Sequence, residues 1–363
     1  MGNNIRNSTV SCLQTSRVGI RASASNKIGG GHIVRCTTLA SALARFGASC
    51  SFYSDTETLG FIPQEPAIEL IGDSQIDDKL VHGRFGKFDI FICDHYGLDA
   101  RFERALRPNA GVLVVIDDLA DRPHDCDLLV DMTLNRPGSV YDGLLPRYAS
   151  VLAGVRYALV REEFSALRPQ SLARRGSGRV ERILISFGLT DPDGLCAQTV
   201  DLVREICSKL PDFKTADIMI GSQSDQLADL HRHINGDARF NVHVGARNPS
   251  AIMAQADIAI GAGGTTSWER CCLGLPTILV SIADNQQAIA AALEAAGAVV
   301  LLPSRESFRA DLPTVLAGLA RSPAAVLDLG VAAAGICDGR GAERVAEYIF
   351  DLYERKRTRA ERD

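Results

Sequence analysis

From Val18 onward, short uninterrupted apolar runs recur along the chain, each bounded by polar or glycine-containing stretches. Val18 to Ile20 reads as the end of a strand, and Ala48 to Ser54, Ala67 to Ile71, Phe88 to Cys93, Val112 to Ile116 and Cys126 to Val130 read as further strands. Continuous runs, rather than strict alternation, mark strands buried on both faces and hence a parallel sheet. Segments between them, such as Asp99 to Arg107, suit short helices. A second series follows: Arg182 to Phe187, Asp217 to Ile220, Asn241 to Val244, Asp257 to Ile260, Thr277 to Ser281 and Ala298 to Leu302. The pattern predicts an α/β protein of two Rossmann-like lobes facing a central cleft, with a ligand at the carboxyl ends of the strands.

The polar, proline-containing stretch Arg168 to Gly178 is the best linker in the chain. The expected division is a flexible extension over 1–16, a first lobe over 17–167, a linker over 168–179, a second lobe over 180–338, and a helix with a charged tail over 339–363. The first sixteen residues are polar with short apolar pieces, unlike a signal peptide or a spanning helix.

Composition narrows the function. A hydrophobic content of 46% and a charged content of 23% are ordinary globular values. With 39 basic and 44 acidic side chains the net charge is −5, which offers nucleic acid no electrostatic footing. No run approaches the ~18 apolar residues needed to cross a bilayer. The ten cysteines are scattered, many inside apolar runs, which fits reduced thiols in a cytoplasmic enzyme rather than disulfides or a zinc site. The histidines show no metal-ligand spacing, so neither a metal nor a cofactor is expected.

Chemistry concentrates in two glycine-rich turns from strand to helix. In the first, Ser25 and three glycines ending at Gly31 precede His32 and a buried helical run from Ile33 to Ala44. Such a turn lets backbone N–H groups approach an anion. A helix N-terminus disfavours imidazolium, which suits His32 to a general base; the alternative is a structural histidine at a helix end. In the second, Gly261 to Gly264 lead into Thr265, Thr266, Ser267 and Glu269. Here the glycines permit close approach, the hydroxyls can meet phosphate oxygens, and Glu269 can accept from vicinal ribose hydroxyls. The alternative is an ordinary helix start with a first-turn glutamate. A third loop, Gly188 to Gly194 with Thr190, ends the first strand of the same lobe and would face the cleft. At the strand ends of the first lobe stand Asp94, His95, Tyr96, Asp117 and Asp118. Asp94 or Asp118 would orient His32 or hold ligand groups, Tyr96 would stack on the ligand or donate its hydroxyl, and each could instead cap the next helix. Arg21 would meet the ligand or neutralise a nearby carboxylate.

Four ordered stretches resemble the UDP-2,4-diacetamido-2,4,6-trideoxy-β-L-altropyranose hydrolases of pseudaminic acid biosynthesis. They are Arg21-x-x-Ala24-Ser25-x-x-Ile28-Gly29-x-Gly31-His32-x-x-Arg35-Cys36, Cys93 to Asp99, Val115 to Arg122, and Tyr157 to Phe164. The run from Gly263 through Glu269 and Gly274-Leu275-Pro276 to Asn285 and Gln286 is similar to the nucleotide lobe of UDP-sugar glycosyltransferases. The resemblance implies a GT-B-like fold, a UDP-sugar substrate, Glu269 and Asn285 at the UDP or sugar, and a final helix that crosses back to the first lobe. It implies water attack at the anomeric carbon with inversion and, by that attack, Asp94, His95, Tyr96 and Asp118 around the sugar. A monomer is expected, with neither nucleic acid nor membrane as a partner. Two departures stand out: Ser23 where the family carries an aspartate, and Leu189 where it carries a second glycine. A UDP-sugar glycosyltransferase and a non-catalytic nucleotide-sugar binding protein are the rival readings.

Overall fold

A computed structural model describes residues 16–25, 29–62 and 68–362. The expected extension therefore lies outside the described residues, apart from Ser16. That residue is buried, and its carbonyl accepts from Ser49 N–H, so it belongs to the first sheet's lead-in. The described residues divide into two compact units. One runs to Leu159 and resumes at Arg340; the other runs from Val160 to Gly339 and includes Gly29–Gly31.

The first unit is a seven-stranded parallel sheet: β1 (Arg17–Ala22), β2 (Ser49–Ser54), β3 (Ile68–Gly72), β4 (Phe88–Asp94), β5 (Ala110–Ile116), β6 (Leu128–Asp131) and β7 (Ser150–Ala153). Their spatial order is β3-β2-β1-β4-β5-β6-β7. The apolar runs form the central strands because their side chains are buried on both faces, as in β5. β7 escapes the sequence pattern: it is a four-residue edge strand with only Leu152 buried. The second unit repeats the design with β8 (Arg182–Ser186), β9 (Thr215–Ile220), β10 (Phe240–Val244), β11 (Ile258–Ala262), β12 (Thr277–Val280) and β13 (Val299–Leu301) in the order β10-β9-β8-β11-β12-β13. In each sheet the winding reverses beside the first strand, between β1 and β4 and between β8 and β11. Those reversals are where a doubly wound sheet opens a crevice at its carboxyl edge.

The expected linker is not a linker. Residues 168–174 continue the helix Glu162–Arg174, and Arg175–Ser177 form a 3₁₀ turn, so the first unit ends at Leu159 rather than at 167. Proline and polarity misled because the polar side chains bind backbone of the second unit. Arg168 donates to the carbonyls of Cys272, Ala334 and Cys337, Ser171 Oγ to that of Leu273, and Arg175 to those of Ala256, Met253 and Leu273. These groups supply partners for carbonyls that helix ends leave without one.

The final helix, Gly341–Ala360, packs on the first unit. Gly341 lies against the backbone of Ala158 with no room for a Cβ. Phe350 stacks on Phe46 with ring centroids 5.8 Å apart, Tyr353 Oη donates to Asp89 (3.2 Å), and Lys356 pairs with Asp127 (2.9 Å).

Candidate active site

At the reversal point of the first unit, Ala22 at the end of β1 pairs in register with Asp94 at the end of β4. The chain leaves β1, and the helix Gly31–Ala44 begins within ten residues. Ile33, Cys36, Leu39, Ala40 and Leu43 are buried on this helix, and that burial fixes which way its first turn faces. His32 and Arg35, three apart, lie on one face of it. His32 Nδ1 is 2.5 Å from Asp94 Oδ1. Arg35 grips the same carboxylate in a fork, Nε to Oδ2 and Nη2 to Oδ1, both 2.6 Å. Its remaining arm, Nη1, donates to Asp118 Oδ2 (2.7 Å), and Tyr96 Oη donates to Asp118 Oδ1 (3.0 Å). The Tyr96 ring meets the imidazole edge-on at 4.5 Å.

Asp94 is fully buried and His32 and Arg35 nearly so. Burial pushes the Asp94 carboxyl up, but the Arg35 charge, His32 and the bonds from both outweigh it and hold the carboxyl well below the usual carboxylate range. The Arg35 guanidinium, which burial would depress, is raised by Asp94 and Asp118. An ionised carboxylate can only accept, so Nδ1 of His32 carries the proton toward Asp94. The imidazole tautomer then leaves Nε2 as the nitrogen able to take a proton.

The carboxylate that orients His32 is thus Asp94, while Asp118 is held by Arg35 and Tyr96. Arg21 turns to Asp77 (Nε to Oδ1, 2.7 Å) and to its neighbour's carbonyl, the neutralising role. His95 is half-buried; its Nδ1 accepts from Gly97 N–H (2.9 Å), and burial, reinforced by the Arg21 charge, pushes its pKa down to about 4. Ser25 is half-buried just beyond β1, and Gly31 opens the helix. Asp117 belongs to a separate buried group: it accepts from Ala120 N–H (2.8 Å) and Tyr141 Oη (3.1 Å) and pairs with Arg122 (3.0 Å).

In the second unit the equivalent reversal brings Ser186 beside Gly261. The helix Thr266–Cys272 starts after Gly263, Gly264 and Thr265. Thr265 stands at the N-cap, but its hydroxyl makes no capping bond, and Gly264, Thr265 and Thr266 are each partly exposed. Gly263 differs: it is buried, and its N–H donates to Gln286 Oε1 (3.3 Å), which also accepts from Ile282 N–H (3.2 Å). Gln286 therefore ties two loop backbones together within this unit. Glu269 is buried, and its Oε1 accepts from Arg161 Nη2 (2.6 Å) and Nε (3.1 Å). Of Asn285 only the backbone is described, inside the helix Asp284–Ala295. Gly188 is exposed with φ +95°, a conformation that favours glycine, whereas Thr190 is buried with its carbonyl accepting from Ser224 Oγ. Leu189 between them is half-buried, its carbonyl taken by Gly221 N–H. Arg35 and Arg161 stood in the sequence motifs without a role, and the i, i+3 spacing of His32 and Arg35 was the signal that paired them.

This combination of two doubly wound parallel sheets defines the GT-B-like class. The MurG structure from Acinetobacter baumannii superposes with a TM-score of 0.62 at 15% identity, covering 94% of this chain and 99% of that one. No family model matches the chain. The resemblance carried by the four motifs is borne out: the chain is 27% identical over 274 residues to the UDP-2,4-diacetamido-2,4,6-trideoxy-β-L-altropyranose hydrolase of Campylobacter jejuni, across 76% of this chain and 94% of that protein. It is also 24% identical over 351 residues to the spore coat polysaccharide biosynthesis protein SpsG of Bacillus subtilis, across 93% of this chain and 99% of that protein.

Proposed function

We propose that this protein is a UDP-sugar hydrolase that releases UDP from UDP-2,4-diacetamido-2,4,6-trideoxy-β-L-altropyranose in a pathway to pseudaminic acid. The observation that carries the reading is the His32–Asp94 pair locked by Arg35. A buried, charge-compensated carboxylate holds the imidazole in one tautomer with Nε2 ready to receive a proton. In the proposed step Nε2 takes a proton from water as the water oxygen bonds to the anomeric carbon. The bond from that carbon to the diphosphate oxygen breaks, its electrons leave with UDP, and the anomeric centre inverts. UDP is a good leaving group, so its departure needs charge stabilisation more than a strong acid. We assign that task to the second unit, through Gly264, Thr265 and Thr266, with Glu269 and Asn285 at the nucleoside. The similarity to the Campylobacter hydrolase supports the substrate, and the GT-B-like fold supports a nucleotide-sugar. We further propose a cytoplasmic monomer working without metal or cofactor; among the described residues no single helix is long and apolar enough to cross a membrane.

The test is incubation of the purified chain with this donor and no acceptor, followed by NMR. Stoichiometric UDP and a free sugar of inverted anomeric configuration are expected. UDP release that appears only when a sugar acceptor is added would overturn hydrolysis in favour of transfer, and saturable binding without turnover would leave a binding protein.

A further inference from the structure

Arg35 and Arg270 are buried and Arg161 is half-buried, and the three differ in what answers their charge. Arg35 is shared by Asp94 and Asp118, and Arg161 by Glu269. Among the described residues Arg270 has no such partner. It is 2% exposed, and its Nη2 donates to Ala262 O (2.5 Å) and Ser267 Oγ (3.0 Å), both neutral acceptors. Its Nε and Nη1 are buried and have no hydrogen-bond partner among the described residues. The adjacent carboxylate, Glu269, turns its Oε1 to Arg161 instead. Burial lowers the Arg270 pKa to about 10, with Cys271 and Glu269 opposing, so the guanidinium remains charged at neutral pH.

A buried cation without a counter-ion is costly, and removal of such a charge commonly leaves a fold as stable or more so. The position of this one gives it a use. Gly261, at the end of β11, has no room for a Cβ because Nη1 of Arg270 and the carbonyl of Ser186 crowd the site. The guanidinium therefore underlies the glycine turn at the β8–β11 reversal, bonded to that turn through Ala262. The exposed side of the same turn is made by Gly264, Thr265 and Thr266.

We infer that Arg270 is a positioning residue whose unanswered charge, seated beneath the Gly261–Thr266 turn, is the counter-charge for the diphosphate of a nucleoside diphosphate bound on that turn. The inference rests on the reading of this turn as the phosphate site. Arg270 itself stays covered; it acts through the field across one layer of backbone and by holding Ala262 and Ser267 in place. The ligand brings the anion that the apoprotein lacks, so binding energy comes from relieving an existing cost as well as from contacts at the surface.

Calorimetric titration of the full chain with UDP and with uridine separates the phosphate contribution from that of the base and ribose. Arg270→Met, which keeps length and removes charge, should weaken UDP by about tenfold or more while uridine affinity changes less than about twofold. The apoprotein melting temperature should stay level or rise, while the increment produced by UDP shrinks. Equal losses for UDP and uridine, or an unchanged ratio with a lower apoprotein melting temperature, would show a merely structural arginine and overturn the inference. Should the methionine variant not fold, Arg270→Lys serves: it must keep the UDP-to-uridine ratio within about threefold, and a ratio collapsed toward one refutes the idea. A parent protein that binds UDP no better than uridine would instead sink the phosphate-site reading, and this inference with it.

Discussion

Nδ1 of His32 and Oδ1 of Asp94 lie 2.5 Å apart, with both side chains almost wholly removed from solvent and the carboxylate also forked by Arg35. One strand end and one helix start create this contact, and it makes a histidine in a glycine-rich turn chemically specific. Replacing the imidazole tests it directly. His32→Asn should lower UDP release by about 10²-fold or more with UDP affinity retained, read by steady-state kinetics beside calorimetry. Equal rates in variant and parent would remove His32 from the mechanism.

The carboxylate should matter twice. Asp94→Asn leaves the buried Arg35 with Asp118 alone to answer its charge, and breaking a buried pair costs up to about 3–5 kcal/mol. It also releases the constraint on the imidazole tautomer, so the rate should fall together with urea stability. The double variant Asp94→Asn with Arg35→Met should regain part of the stability and none of the rate. Recovery of both would assign the pair to scaffolding. Because the folded carboxyl is held low, its contribution is present above the ordinary carboxylate range and is lost as acid protonates it.

A second buried histidine should set alkaline stability. His124 Nδ1 is 2.7 Å from Glu103, and Asp117 lies 3.9 Å from its other nitrogen. Burial would depress this imidazole, but Asp117 and Glu103 outweigh it and push its pKa up to about 9. The folded value lies above the unfolded one of about 6.5, so the stabilisation is complete below about pH 6.5 and disappears as pH rises through 9. The gap in unfolding free energy between parent and His124→Gln, of order 3 kcal/mol at pH 6, should narrow by pH 10. A gap that does not vary with pH would place the effect in packing.

Glu269 offers a test of nucleoside recognition. If its carboxylate accepts from the ribose, Glu269→Gln should cut UDP affinity by about tenfold but 2′-deoxy-UDP affinity by much less. Parallel losses would confine Glu269 to its pair with Arg161.

The returning helix should stabilise one unit alone. Phe350 is buried against Phe46, and Phe350→Ala should cost about 3–5 kcal/mol. The single tryptophan, Trp268, is buried in the second unit and reports on it. Urea unfolding followed by circular dichroism should show an earlier transition, with the Trp268 fluorescence transition unmoved. If both transitions shift together, the helix supports more than the unit it packs on.

What the chain carried on its face was periodicity. Strands buried on both sides must be apolar throughout, so runs such as Ala110–Ile116 and Ile258–Ala262 announce themselves, as do the glycine turns that end β1 and β11. His32 was legible for the same local reason, and so was its spacing from Arg35. The choice of Asp94 over Asp118 as its partner was not, because both end strands and only the order β1-β4-β5 sets Asp94 nearer. The helix Glu162–Arg174 was hidden because its arginines and Pro169 look like linker until the carbonyls they bind are brought near. Ion pairing is settled the same way: Arg21 with Asp77, Arg161 with Glu269 and Arg270 with no carboxylate among the described residues are facts of distance between residues remote in sequence or facing apart on one helix. Periodicity is a one-dimensional property and can be read along the chain, whereas charge compensation falls off with separation in space and exists only once the chain has folded.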